Sequence, residues 1–85
     1  MKEFSYTLRC TQGIHGNPAL SLVREASRYR SRITVTKGTH TANARMLRPL
    51  LELSAACGDT VHVQIEGGDE AATFEAVTRY FTINL

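Results

Sequence analysis

Apolar residues recur along this chain with two different periods, and the switches between them outline its elements. In "EFSYTLR" Phe4, Tyr6 and Leu8 alternate with polar neighbours, the period of a strand with one face turned inward. "TQGIHGN" breaks that alternation. From Ala19 the period lengthens, with Leu22, Val23 and Ala26 at helical spacing and the pattern fading through Tyr29. This predicts an amphipathic helix of about three turns. Pro18 suits its first turn, where a missing N–H costs nothing.

Alternation returns in "RITVTK", with Ile33 and Val35 inward, and Gly38 then offers a turn into a short polar strand over His40 to Asn43. Leu47, Leu50, Leu51 and Leu53 predict a short helix over Leu47 to Ala55. Pro49 fits only in that helix's first turn, which sets its start near Arg45 to Leu47. "GDT" turns into "VHVQIEG", where Val61, Val63 and Ile65 alternate with polar residues as a fourth strand. A last helix carries Phe74, Val77 and Phe81 as its buried stripe, with Asp69 as N-cap and Glu70 favourable in its first turn.

The order β-α-β-β-α-β-α predicts a two-layer α+β fold, an open-faced sandwich in which a four-stranded antiparallel sheet is covered on one face by three helices. Eighty-five residues, 42% hydrophobic, suit a single small domain over residues 1–85. No apolar run approaches the roughly 20 residues needed to cross a bilayer, so no membrane insertion is expected. "MKEFSYTLRC" has no long apolar stretch of a signal peptide, which makes a cytoplasmic location the default. Cys10 and Cys57 are far apart and form no metal-binding spacing, so they read as reduced, unpaired thiols.

A formal charge of +2 is too small to imply nucleic acid as a partner. Its distribution is more informative. Arg24, Arg28, Arg30, Arg32, Lys37, Arg45 and Arg48 fall in the first 48 residues, and Glu52, Asp59, Glu66, Asp69, Glu70 and Glu75 follow. Either the N-terminal half offers a basic surface to an acidic partner, or these charges form an ordinary solvated surface.

The candidate chemistry centres on His15, within "QGIHGNPAL". Gly13 and Gly16 permit backbone geometries closed to other residues and leave little bulk beside the imidazole. The helix that follows begins with N–H groups lacking intrahelical partners and with a partial positive charge, an arrangement that attracts phosphate. A neutral imidazole has a nitrogen lone pair and is a competent nucleophile. A phosphoryl group on His15 could rest its oxygens on the N–H groups of Gly16 and Asn17. An exposed histidine with no chemical role is the plainer alternative. No metal site is expected, because no spacing links His15 to His40 or His62. Ser5, Ser21 and Ser54 show no base-and-orienter arrangement, and neither a P-loop nor G-x-G-x-x-G is present.

"GIHGNPA", between a strand and a helix, resembles the active-site segment of the HPr family, the histidine-containing phosphocarriers of the bacterial phosphoenolpyruvate-dependent sugar phosphotransferase system. "ITVTKGTHTANARML" is similar to the family's central hairpin and the start of its second helix, and "GDTVHVQIEGGDE" to its last strand and turn. The resemblance implies a carrier in which His15 accepts a phosphoryl group on Nδ1 from enzyme I and passes it to an enzyme IIA domain. It implies no cofactor, and a carrier rather than a stand-alone catalyst. Met46, Leu47 and Arg48 would correspond to the partner-binding surface, on a chain expected to be monomeric.

Two positions depart from the family pattern. Asn17 stands where the family usually has an arginine, replacing a permanent charge and a fork of donors by a neutral, shorter amide. Arg45 or Arg48 is a candidate to supply the missing charge. Met46 stands where many members from Gram-positive lineages carry a kinase-targeted serine, so regulation there is not expected. The competing readings are an HPr-like regulatory binding module with weak or no phosphotransfer and an unrelated small-molecule-binding domain.

Overall fold

A computed structural model describes residues 1–85. The elements are β1 (Lys2–Thr7), α1 (Asn17–Ala26), β2 (Arg32–Lys37), β3 (His40–Asn43), α2 (Leu47–Glu52), β4 (Thr60–Glu66) and α3 (Glu70–Asn84). The strands form one antiparallel sheet in the order β1-β4-β2-β3. Phe4 lies opposite Val63, and Val35 opposite both Val63 and Ala42. This register puts the apolar set of each strand on one face.

That face is closed by the helices. Ile33, Val35, Val61, Val63 and Ile65 are fully buried, while Ser5, Thr34, His62 and Gln64 point the other way and retain contact with solvent. On the helical side, α1 buries Ala19, Leu22 and Ala26, α2 buries Leu50, and α3 buries Thr73, Val77 and Phe81. Phe4 packs edge-to-face on Phe74 and Phe81, with ring centroids 5.8 and 5.4 Å apart, and Tyr6 meets Phe81 at 5.5 Å. Each such pair adds about 0.5–1.5 kcal/mol beyond the burial of its area. They clamp α3 onto β1, an edge strand with only one neighbour in the sheet.

Several boundaries differ from the sequence expectation. Helix α1 ends at Ala26, short of Tyr29, because the chain must turn back into β2; the N–H of Ser27 bonds the carbonyl of Val23 at 3.0 Å. Helix α2 stops at Glu52, and Ser54 adopts a positive φ of 53° before the chain runs toward β4. Leu53 and Ala55 are nonetheless buried. Strand β1 ends at Thr7, yet Leu8 beyond it is buried. Asp69 occupies the N-cap position of α3 without capping it by its side chain; its carboxylate accepts the N–H groups of Arg30 and Ser31 at 3.1 and 2.9 Å and the hydroxyl of Ser31. No helix is long and apolar enough to cross a membrane.

Candidate functional site

His15 sits on the loop between β1 and α1, and the loop is held from below. Ile14 is fully buried, and its N–H donates to the carbonyl of Ala55 at 2.9 Å. The N–H of Gly13 donates to Cys10 at 3.1 Å, and the Cys10 thiol returns a bond to the Gly13 carbonyl at 3.2 Å. Gly13 has φ +66°, and a Cβ there would stand 2.2 Å from the Ala55 oxygen. Only glycine permits this approach of two backbones. The opposing segment is itself fixed: Asp59 accepts the Ala56 N–H at 2.9 Å and pairs with Lys37 at 3.0 Å, and Lys37 also donates to the Ser54 carbonyl. Both links hold the Asp59 carboxyl below the usual carboxylate range, the Ala56 N–H contributing most.

With Ile14 anchored inward, His15 is left exposed and engaged by no other side chain. Gly16 follows as the N-cap of α1, with φ 61° and ψ −131°, and receives the first helical bond from the Leu20 N–H at 3.1 Å. Pro18 carries no N–H, so the unpaired donors at this helix start are on Gly16, Asn17 and Ala19. No side chain caps the end. The donors therefore remain available to an anion beside the imidazole.

The Asn17 side chain borders a shallow depression of about 310 Å³ shared with Gln12, Pro18, Ser21, Tyr80, Asn84 and Leu85. Its polar groups are amides and hydroxyls, and the Tyr80 hydroxyl donates to Ser21 Oγ at 2.5 Å. No guanidinium takes the place of the missing arginine here. Gln12 was missed by sequence reasoning. Its Oε1 comes within 4.0 Å of where a Gly16 Cβ would stand, which places an amide over the helix start. Only its position three residues before His15 hinted at this.

Of the two arginines considered as replacements, Arg45 is committed elsewhere. Its guanidinium bonds the main-chain carbonyls of Ala26, Tyr29 and Ser31, at the C-terminal end of α1, remote from the end that carries His15. Arg48 is exposed on the first turn of α2 and forms no ion pair. Next to it, Met46 is 54% and Leu47 38% exposed, and α2 packs on α1, where Leu20 is 38% exposed as well. Exposed apolar side chains thus stand on both of these packed helices, Leu20 among them. The helical pattern alone assigned Leu20 no role.

A correction concerns Ser5. Its hydroxyl lies 3.0 Å from His62 Nδ1, and His62 Nε2 lies 2.5 Å from Glu3 Oε1, so a base and an orienter are present after all. Cross-strand register creates this arrangement, because Ser5 faces His62 between β1 and β4. The trio stands on the open sheet face, and none of the molecule's depressions includes it. It therefore lacks the substrate pocket a hydrolase needs.

The family model described as "PTS HPr component phosphorylation site" matches residues 2–82. This chain belongs to the HPr family. It is 35% identical over 69 residues to the phosphocarrier protein HPr of Treponema pallidum, covering 81% of this chain and 78% of that one. A crystal structure of HPr from Thermoanaerobacter tengcongensis superposes with a TM-score of 0.92 at 29% identity, covering 96% of this chain and 92% of the other. An HPr dimer from the same organism superposes at 0.72 with 30% identity, over 93% and 91%. The expected open-faced α+β sandwich is therefore the HPr fold. The role of this HPr-family chain is that of a phosphocarrier working with enzymes of the phosphotransferase system.

Proposed function

We propose that His15 is the phosphoryl acceptor of the relay, with the N–H groups of Gly16 and Asn17 receiving the phosphoryl oxygens. The observation that carries this reading is the exposed, unengaged imidazole of His15 beside an uncapped helix start, on a loop whose backbone is locked at Gly13 and Ile14. In the transfer, the His15 Nδ1 lone pair forms a bond to phosphorus as the bond between phosphorus and the donor group breaks. The donor group leaves with that electron pair. On discharge the bond between Nδ1 and phosphorus breaks as the next acceptor's nucleophile bonds to phosphorus, and His15 leaves with the electron pair. The protein's contribution is positioning and charge stabilisation.

In this proposal the donor is enzyme I and the acceptor an enzyme IIA domain, both docking on Leu20, Met46, Leu47 and Arg48. The chain acts in the cytoplasm as a monomer, one domain over residues 1–85. Monomeric behaviour in light scattering supports the last point, and a stable dimer in solution overturns it.

The deciding experiment incubates the chain with phosphoenolpyruvate and enzyme I and measures acid-labile phosphate. The expected result is stoichiometric labelling that His15→Ala abolishes. Undiminished label on His15→Ala would falsify the assignment, and enzyme I binding without label on the unmodified chain would favour a regulatory binding module.

A further inference from the structure

Three arginines converge at the end of the molecule remote from His15. Arg30 lies on the loop after α1, Arg32 begins β2, and Arg45 follows β3; together with Asn43 and Glu66 they line a depression of about 470 Å³ without a single hydrophobic residue. None of the three guanidinium groups is ion-paired there. Glu66 faces Arg32 in the sheet register, yet the two form no salt bridge. Outside this cluster the chain has seven basic and seven acidic side chains, so its whole formal excess of +2 resides here.

The cluster is also built on fixed backbone. Asp69 holds the Arg30 and Ser31 N–H groups. Arg45 is oriented by carbonyls of Ala26, Tyr29 and Ser31 through Nε and Nη2, which leaves Nη1 free. Asn43 Oδ1 accepts the Arg45 N–H at 2.9 Å, so its amide NH2 is available as a donor. Concentrated charge on a rigid concave frame focuses the field on anions, and the planar guanidinium fork matches phosphate oxygens.

We infer that this depression is a second anion site, independent of the phosphorylation site, that binds a small hydroxyl-bearing phosphate monoester. Arg30, Arg32 and Arg45 take the phosphate; Glu66 and Asn43 take hydroxyl groups. The lining decides the class. Without an aromatic or apolar wall there is no platform for a base or an acyl chain, and a carboxylate among arginines gives a donor-bearing ligand an acceptor that a bare dianion cannot use. The volume suits a compact molecule.

The test titrates the full-length chain with glycerol 3-phosphate and follows backbone amide resonances. Saturable shifts are expected at residues 30–32, 43–45 and 66, with affinity falling about tenfold or more in Arg32→Gln and in Arg30→Gln, the loss of a charge-assisted bond. Arg79→Gln, on α3, should bind as the unmodified chain does. Sulfate, lacking hydroxyls, should bind more weakly, and Glu66→Gln should narrow that gap. Shifts that never saturate, that centre on Gly16 and Asn17, or that Arg79→Gln weakens equally overturn the proposal. So does retention on phosphatidylglycerol vesicles in the absence of glycerol 3-phosphate binding, which would assign the arginines to a lipid surface.

Discussion

The carboxylate of Asp69 at the start of α3 accepts the hydroxyl of Ser31 and thereby ties that helix to the loop after α1. Ser31 is fully buried, and the Arg30 and Ser31 N–H groups complete the coordination. These bonds lower the Asp69 pKa from 3.8 to about 2, the Ser31 hydroxyl contributing most. A carboxyl with a depressed folded-state pKa contributes stability that is fully present above its unfolded value and is lost as pH falls through its folded value. The contribution of Asp69 is therefore lost between about pH 4 and pH 2. Asp69→Asn should lower the urea midpoint at pH 7 and flatten the pH dependence of that midpoint over the same window. An unaltered slope would show that Asp69 is not linked to folding.

Gly13 and Gly16 both have positive φ but differ in surroundings, and the difference is measurable. Alanine at 16 meets only the Gln12 side chain at 4.0 Å, so Gly16→Ala should cost about 1–3 kcal/mol through backbone strain. Alanine at 13 adds a clash with the main chain of Ala55 and Ala56. Gly13→Ala should lose more stability than Gly16→Ala in denaturant unfolding, and equal losses would contradict the close approach.

Asn17→Arg places a guanidinium where the neutral amide of Asn17 borders the depression. A charge-assisted bond to the phosphoryl group contributes about 1.5–3 kcal/mol. The phosphorylated form should therefore be favoured by roughly tenfold or more, measured as the equilibrium with phosphorylated enzyme I. An unchanged equilibrium would mean that the N–H groups already suffice.

Leu20→Asp and Met46→Asp remove exposed apolar surface from α1 and from the start of α2. Neither side chain is in the core, so unfolding free energies should stay within about 0.5–1 kcal/mol of the unmodified chain. Transfer from enzyme I should weaken through KM by about tenfold, as expected for loss of an interfacial anchor. Normal KM with lowered stability would assign these residues to packing instead.

Arg45 and Arg48 separate by readout. Arg45→Gln removes charge-assisted bonds to the carbonyls around the end of α1 and should destabilise by about 1–3 kcal/mol. Arg48→Gln should leave stability nearly unchanged and slow transfer at low ionic strength, where partner steering is strongest. The reverse pattern would exchange their roles.

The sheet was legible because its residues alternate without interruption: Ile33 and Val35, then Val61, Val63 and Ile65, are all buried as the period requires. Helix lengths were less so. Leu53 and Ala55 are apolar and buried, which extends the helical pattern of α2, but they belong to the segment that locks Gly13 and Ile14. Burial by a neighbouring loop leaves the same mark on the sequence as burial within a helix. Asp69 illustrates another limit: an aspartate before a helix suggests a cap, whereas its actual partners lie 38 and 39 positions earlier. His15 and the flanking glycines were visible as a motif. The Ser5, His62 and Glu3 trio and the arginine cluster were not, because strand register brings together residues widely separated along the chain.

The uncovered face of the sheet also makes the molecule easy to instrument. Ser5, Thr34 and Gln64 lie on strands whose opposite sides carry the core, and none lines a depression. A fluorophore or surface tether attached at Ser5, opposite His62 and away from Glu66, leaves the His15 loop, both flanking helices and the arginine cluster unobstructed. Successive donors and acceptors can then be flowed over a single immobilised population, so that loading and discharge are timed separately.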